Sequence, residues 1–99
     1  MNSALDRRSD QFLGRYQALR VYDAIGKFQK DEFTAGELRG VTDVPGPVIS
    51  RELSRLVELG VIERASRRGD YVRRPGHAFW EAMALLVTAW NDPTDPAEP

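Results

Sequence analysis

Between Pro47 and Arg74 lies a stretch whose polar side chains are mostly suited to one kind of chemistry, hydrogen bonding to anions. It reads PVISRELSRLVELGVIERASRRGDYVRR and contains seven arginines and three serines. Guanidinium groups and hydroxyls bind phosphate oxygens, and an arginine can also bond to both acceptors on the edge of a guanine. The residue types therefore point to contacts with nucleic acid, provided that the fold brings these side chains onto one surface.

A helix is predicted over the first half of this stretch, because apolar residues recur there at helical spacing. The apolar stripe consists of Ile49, Leu53, Leu56 and Leu59. Pro47 suits the first turn, where its missing N–H costs nothing, and Gly60 ends the helix. Once the stripe is buried, a polar set predicted to contact DNA is left facing outward: Ser50, Arg51, Ser54 and Arg55.

Most of the outward residues near the start of this helix suit a particular contact with a duplex. Arg51 is the best candidate for a guanine edge, since its fork can bond to O6 and N7 together. Ser50 and Ser54 suit phosphates better than bases. Pro47 and Val48 could meet a thymine methyl group, although Val48 could equally belong to the core. A polar helix face by itself is often only a solvated surface, and it is the turn before it and the arginines after it that favour DNA contact.

A basic β-hairpin is predicted directly after the helix. Two apolar pairs, Val61-Ile62 and Tyr71-Val72, flank a turn at residues 67–70, which read RRGD. Arg67 and Arg68 at the tip of this turn are predicted to contact phosphate or to enter a narrow minor groove.

Three further arginines lie on the strands of the predicted hairpin. Arg73 and Arg74 alternate across the strand, so that only one of them, assigned to Arg73, would face DNA. Arg64 could instead pair with Glu63 or another neighbour. Tyr71 is expected to pack inside the hairpin rather than to stack on a base.

The elements that must position these side chains begin with a predicted first helix from Asp10 to about Phe28. Its apolar residues keep a helical period across Gly14: Phe12, Leu13, Tyr16, Leu19, Tyr22 and Ile25. Ser9 or Asp10 would cap its start, and residues 1–9 are expected to form a flexible N-terminus.

A second, shorter helix is predicted from Ala35 to about Val41. Thr34 and Glu37, three residues apart, form a capping box at its start. Leu38 and Val41 would be its buried residues. A turn rich in helix breakers, residues 43–47, separates it from the helix that begins at Pro47.

The last predicted helix, from about His77 to Trp90, is apolar nearly all round, since after His77 only Glu81 and Thr88 are polar. His77 is expected to be a cap or a surface residue. Large side chains left in water would form an aggregating patch, so we expect burial both against the same domain and against a second copy. The expected dimer interface consists of Tyr16, Leu19, Phe79, Trp80, Met83, Leu86, Val87 and Trp90. The alternative is the central core helix of a monomer.

The order of these elements and motifs resembles the winged-helix DNA-binding fold, and is most similar to bacterial regulators of the ArsR and MarR type. The matching pattern runs from Ser50-Arg51 early on the recognition helix, through Leu53 and Leu56, to Leu59-Gly60-Val61-Ile62. In the same pattern, Glu63-Arg64 opens the first wing strand and Gly69-Asp70 forms the wing tip. The resemblance covers roughly residues 33–74.

This resemblance implies a mainly α winged helix-turn-helix fold with a small β-hairpin wing, flanked by N- and C-terminal helices. It also implies a homodimeric, sequence-specific transcription regulator that binds double-stranded DNA, with the recognition helix in the major groove. The wing would lie on the flanking backbone or minor groove. Metal sensing of the cysteine-dependent ArsR kind is excluded, because the chain has no cysteine and one histidine.

The length and composition predict one domain, residues 10–90, followed by a flexible acidic, proline-rich tail, residues 91–99. Net charge is −1, but from Arg64 to Arg74 five arginines face one acid, which gives +4. The tail holds three acids and no base, which gives −3. No signal peptide or membrane span is predicted, so a cytoplasmic location is expected. No catalytic motif, metal site or cofactor motif is recognised, and an enzyme is not expected.

A winged-helix module that binds protein instead of DNA is the alternative function. Six acids lie between Glu37 and Asp70, and Glu52 is expected close to the proposed DNA-facing surface. Acids at that position would repel phosphate, which keeps this alternative open.

Overall fold

The computed structural model of the protein describes residues 3–65, 69–74 and 77–90. Its elements in chain order are α1 (Ser3–Leu13), α2 (Ala18–Lys27), β1 (Glu32–Thr34), α3 (Ala35–Thr42), α4 (Gly46–Leu59), β2 (Ile62–Arg64), β3 (Asp70–Arg73) and α5 (Ala78–Trp90). Over these ranges the chain is mainly helical, and the strands form a small antiparallel sheet in the order β1-β3-β2. The predicted predominance of helix, with a small β component, is confirmed.

The predicted first helix is in fact two helices, α1 and α2. Gly14 has a φ of +72°, a left-handed conformation that glycine adopts without steric penalty and that ends α1. The Ser9 hydroxyl lies where the helices meet: it donates to the carbonyl of Arg15 at 2.5 Å and accepts the N–H of Leu19 at 3.1 Å. Ser9 therefore ties α1 to the start of α2, instead of capping a helix that begins at Asp10.

Part of the segment predicted to be a flexible N-terminus belongs to the core. Leu5, Asp6 and Ser9 on α1 are all buried. The Asp6 carboxylate accepts a hydrogen bond from the guanidinium of Arg20 on α2. Helix α1 is therefore packed against α2, because Leu5 is buried and the side chains of Asp6 and Ser9 bond to residues of α2.

The capping box predicted at the start of α3 is confirmed. The Thr34 hydroxyl accepts the N–H of Glu37 at 3.1 Å, and the Glu37 carboxylate accepts the N–H of Thr34 at 2.9 Å. Leu38 is buried as predicted, whereas Val41 is 64% exposed. The helix continues to Thr42, and Val44 in the following turn is buried.

The turn between α3 and α4 is held by side-chain hydrogen bonds from Thr42. Its hydroxyl donates to the carbonyl of Leu38 at 2.6 Å and accepts the N–H of Val44 at 3.2 Å. Asp43 takes a left-handed conformation with φ +59°, which reverses the chain after α3. These local bonds hold the turn that leads into α4.

Helix α4 starts one residue before Pro47 and ends where predicted. Gly60, with φ +79°, closes it, and its N–H bonds back to the carbonyls of Leu56 and Val57. The first three members of the predicted apolar stripe are buried. Leu59, the last residue of α4, is 64% exposed, so its assignment to the buried stripe is wrong.

The predicted hairpin forms and gains a third strand. Tyr71 on the central strand β3 lies opposite Arg64 of β2 and Phe33 of β1. Phe33 stacks on Tyr71 with ring centroids 5.9 Å apart, and Phe28, at the end of α2, stacks on Phe33 at 5.7 Å. The prediction that Tyr71 packs inside the hairpin is confirmed, and these rings fasten the sheet to α2.

Helix α5 packs against α1 and α2 of its own chain. The Trp80 indole N–H donates to the carbonyl of Val61 at 3.2 Å, which joins α5 to the residue that precedes β2. Trp80 and Val87 are buried, and Leu19 on α2 is buried completely. Three residues assigned to a dimer interface, Leu19, Trp80 and Val87, are therefore core residues of the single chain. Within the ranges that the structure describes, no helix is both long and apolar enough to cross a membrane.

Candidate nucleic-acid interface

The outer face of α4 carries the four polar residues that the sequence placed there. Ser50, Arg51, Ser54 and Arg55 are all exposed, as predicted. Of the two residues near the helix start, Pro47 is exposed and Val48 is half-buried against the core. The structure thus presents two guanidinium groups and two hydroxyls on one helical surface, which is the donor chemistry that phosphates and base edges require.

Glu52, which sequence reasoning placed near this face, is completely buried beneath it. Its Oε1 accepts a hydrogen bond from the hydroxyl of Tyr22 at 2.6 Å. Its Oε2 accepts one from Arg15 Nε at 2.7 Å and another from Arg51 Nε at 3.0 Å. Three donors thus replace the water that the carboxylate loses on burial.

The sequence did contain the signal for this burial. Counted from Ile49, the buried residues of α4 follow the helical series i, i+3, i+4 and i+7, and Glu52 occupies the i+3 position. Its acidic type led it to be assigned to the surface. Arg15 and Tyr22, the partners that make burial possible, lie 37 and 30 residues away in the chain, so sequence spacing could not connect them with Glu52.

The protonation states in this cluster follow from burial and hydrogen bonding together. Burial raises the pKa of the Glu52 carboxyl, but the hydrogen bonds from Tyr22 and Arg15 outweigh burial and leave that pKa below its ordinary value. Burial and the carboxylate acceptor raise the pKa of the Tyr22 hydroxyl to about 12. Burial lowers the pKa of Arg15, but its hydrogen bonds to Glu52 and Tyr22 outweigh this effect and raise it overall. At neutral pH the acid is therefore ionised, the tyrosine is neutral and the arginine is charged.

Arg73 does not face a ligand surface, which corrects its assignment as a DNA contact. Its Nη1 donates to the carbonyls of Ile25 and Gly26 at 2.7 and 2.9 Å. Its Nη2 donates to the carbonyl of Phe28 and to the carboxylate of Asp31, both at 3.0 Å. With a side chain only 13% exposed, Arg73 caps the C-terminal end of α2, where carbonyl groups attract a positive charge.

Arg64 on β2 and Arg74, which follows β3, are paired with residues of the hairpin itself. Arg74 forms a surface ion pair with Glu63 at 3.0 Å. Arg64 donates to the hydroxyl of Tyr71 at 3.1 Å, and its guanidinium lies 5.4 Å from the centre of that ring. The partner of Arg64 is thus Tyr71. Arg67 and Arg68 lie outside the described residues, so their contacts with DNA stay predictions.

A second surface of interest is the outer side of α5, where exposed apolar side chains lie beside two exposed polar residues, Glu81 and Thr88. Leu85 is 74% exposed, and Ala82 and Ala89 beside it are exposed as well. Phe12 of α1, 62% exposed, meets Trp90 at the end of α5 with ring centroids 5.5 Å apart. We call Ala82, Leu85 and Ala89 the exposed apolar face.

The expected dimer residues fall into three groups around this helix. Three are core residues, as described above, and Tyr16 in the connection between α1 and α2 is exposed as an interface residue would be. The remaining four are half-buried against the domain: Phe79, Met83, Leu86 and Trp90. The centre of the surface free to meet a partner is Leu85, which sequence reasoning missed because α5 is apolar on every side.

His77 caps α5, in agreement with its predicted role. Its Nδ1 accepts the N–H of Phe79 at 3.1 Å. Among the residues that the structure describes, no cluster of three or more histidine, cysteine, aspartate or glutamate side chains could hold a metal ion.

Compared with known proteins, the chain matches no protein-family model and no curated sequence.

Proposed function

We propose that this protein is a sequence-specific regulator of transcription that binds double-stranded DNA as a homodimer through a winged helix-turn-helix. The order of α2, β1, α3, α4, β2 and β3 supports the winged-helix assignment, since it joins a helix-turn-helix to a hairpin that shares a sheet with β1. In this proposal α3 and α4 form the helix-turn-helix, α4 is the recognition helix and the hairpin is the wing. We expect the regulator to act in the cytoplasm. It acts by binding, as the resemblance to ArsR- and MarR-type proteins implies.

The observation that carries this proposal is the outer face of α4. Arg51 and Arg55 are exposed there, while Glu52, the acid between them, is buried and paired. The sequence of α4 balances Arg51 and Arg55 with Glu52 and Glu58, but of the two acids only Glu58 is exposed to a ligand. With Glu52 removed from the surface, the outward set favours an anion over a basic partner.

In the proposed complex the N-terminal half of α4 enters the major groove. Arg51 bonds to a guanine edge, and Ser50, Ser54 and Arg55 bond to phosphates. Pro47, exposed at the helix start, is placed to meet a thymine methyl group. Arg67 and Arg68 at the wing tip contact the flanking backbone or the minor groove.

Dimerisation is proposed through the exposed apolar face. A second copy of α5 would cover Leu85 and its alanine neighbours, and the short alanine side chains would let two helices approach closely. Two recognition helices would then occupy successive major grooves of a nearly palindromic site, about one turn of DNA apart. Pairing doubles the contacts of a half-site that carries few charges.

A mobility-shift titration on random-sequence duplexes at two salt concentrations tests the proposed activity. We expect a shifted complex at low salt that weakens at higher salt, because contacts between arginine and phosphate release counterions. Arg51→Ala should weaken binding to preferred sequences by about 1–3 kcal/mol. Lys27→Ala, which removes one exposed positive charge from α2, is the matched control and should change binding little. Absence of any complex at low salt would rule out DNA binding.

A protein-binding module is the second candidate, favoured by two exposed apolar side chains outside α5. Val41 on α3 and Leu59 at the end of α4 are each 64% exposed. Leu59→Ser separates the two functions: it should leave DNA affinity unchanged if α4 binds DNA through its N-terminal half. The second candidate would be favoured if the wild type bound no DNA and if Leu59→Ser lost a protein complex that the wild type forms in cells.

A further inference from the structure

Two arginines from different parts of the fold meet at one oxygen of a buried carboxylate. Glu52 Oε2 accepts hydrogen bonds from Arg15 Nε at 2.7 Å and from Arg51 Nε at 3.0 Å. Arg15 lies in the connection between α1 and α2 and is mostly covered. Arg51 lies on the outer face of α4, and its side chain is 44% exposed. The buried acid therefore reaches the outer face of the recognition helix through Arg51.

We infer that Glu52 is a positioning residue for Arg51, which holds the guanidinium group ready to bond to the edge of a guanine in duplex DNA. This inference rests on the proposed DNA-binding function. A guanidinium is planar and carries five donors in a fixed fork. Because Nε of Arg51 donates to Glu52, the two terminal nitrogens of the guanidinium, Nη1 and Nη2, are left for a ligand. That pair matches the O6 and N7 acceptors of guanine.

The other partners of Glu52 keep the carboxylate still and preserve the charge of Arg51. Tyr22 fixes Oε1 at 2.6 Å and Arg15 fixes Oε2, so each oxygen has a donor that lies outside α4. Two guanidinium groups against one carboxylate leave a net charge of +1 in the cluster. Because Arg15 balances the acid, Arg51 is held in place without being neutralised.

A fixed guanidinium should affect sequence selectivity more than general affinity. A mobile arginine loses rotamer freedom when it binds, and a guanine edge accepts it only in a bidentate geometry. A phosphate makes no such demand, because it can be met from many directions. Loss of the contact with Glu52 should therefore weaken binding to preferred sequences and leave binding to random duplexes nearly unchanged.

The substitution Glu52→Gln tests this role, since it keeps the side-chain shape and one acceptor but removes the charge. Wild-type protein first selects preferred duplexes from a random-sequence library, and each variant is then titrated with the selected and the unselected duplexes. We expect the ratio of the two affinities to fall roughly tenfold in Glu52→Gln. Glu58→Gln removes the same charge from the exposed side of α4 and should leave the ratio unchanged.

A double substitution separates positioning from a general structural effect. In an Arg51→Ala background, Glu52→Gln should have no further effect on the affinity ratio, because no guanidinium remains to be positioned. A further fall of the ratio in that background would overturn the inference, since Glu52 would then act through other contacts.

The contact can also be tested in the wild-type protein, even if Glu52→Gln does not fold. The rate at which the Nε–H proton of Arg51 exchanges with water can be measured by NMR and compared with that of Arg55, an exposed arginine on the same helix. We expect slower exchange at Arg51, because its Nε–H is bonded to a buried acceptor. Equal rates would overturn the role of Glu52.

The two proposals fail in different ways. If the wild-type protein binds no duplex, both the DNA-binding function and the role of Glu52 in it are overturned. If the wild type selects preferred duplexes and Glu52→Gln selects them equally well, only the role of Glu52 is overturned.

Discussion

At the scale of single residues, Glu52 is an ionised carboxylate with no exposure to solvent. A buried charge is tolerated only when hydrogen bonds replace its hydration. Here the donors come from Tyr22, Arg15 and Arg51, so one carboxylate joins α2, the connection before it and α4. Removing a donor would leave the charge partly unsatisfied, which is more damaging than the loss of a surface pair.

Glu52 should make stability depend on pH at the acid end. In the folded protein, burial raises the pKa of Glu52, and the hydrogen bonds from Tyr22 and Arg15 outweigh it, so the net shift is downward. The unfolded chain binds this proton more readily, near the ordinary value of about 4.3. The stabilisation is therefore present above that value and is lost as the pH falls through the lower folded-state pKa.

Denaturant unfolding of the wild type and of Glu52→Gln, from neutral to acid pH, measures this contribution. The difference in unfolding free energy should stay constant near neutrality and shrink below about pH 4. Carboxylates common to both proteins largely cancel in the comparison. A difference that widens in acid would mean that Glu52 is protonated in the folded protein, contrary to the hydrogen bonds that it accepts.

At the scale of elements, Arg73 joins the sheet to the end of α2. It donates to three carbonyls at that helix end and to Asp31. Arg73→Ala should lower the unfolding free energy by about 1–3 kcal/mol, because it leaves these acceptors unpaired. Arg74→Ala is the matched control, since its exposed pair with Glu63 should contribute less than about 1 kcal/mol. Equal losses in thermal or urea unfolding would contradict the capping role.

The break between α1 and α2 should depend on Gly14. Its φ of +72° is unfavourable for any residue with a Cβ, so Gly14→Ala should destabilise the protein by about 1–2 kcal/mol. Gly40→Ala, within α3 and with open space at its Cβ position, should instead stabilise it by up to about 1 kcal/mol. Urea unfolding of both variants measures the sign of each change in unfolding free energy. Stabilisation by Gly14→Ala would show that α1 and α2 can join into one helix.

The elements that sequence predicted well are those specified by neighbouring residues. The capping box of α3 and the glycine that closes α4 are local signals, and both were recognised. The division at Gly14 was missed because the helical period of the apolar residues continues across it. The buried partners of Glu52 and Arg73 could not be predicted, because each links residues at least 30 positions apart. The exposed residues of α4 could be identified from their spacing along the helix. The hydrogen bonds of Glu52 with Arg15 and Tyr22 could not, because they join distant parts of the chain.

At the scale of the whole molecule, the two surfaces of interest make different demands on assembly. The outer face of α4 is polar and stable in water without a partner. The exposed apolar face on α5 is less favourable in water, because Leu85 leaves a large apolar side chain in contact with solvent. A second copy that covers this face would remove Leu85 from solvent and bring a second α4 into the same complex.

Leu85→Asp tests whether α5 carries the dimer contact. Because Leu85 is 74% exposed in the single chain, the substitution should leave the fold intact, while a charge at the centre of an apolar interface should separate the copies. We expect light scattering to show a dimer for the wild type and a monomer for Leu85→Asp, with weaker binding to palindromic duplexes because two half-sites no longer act together. Leu59→Asp, the same change at a similarly exposed leucine outside α5, should remain dimeric. A dimer that persists in Leu85→Asp would exclude α5 as the contact and would place the partner surface elsewhere.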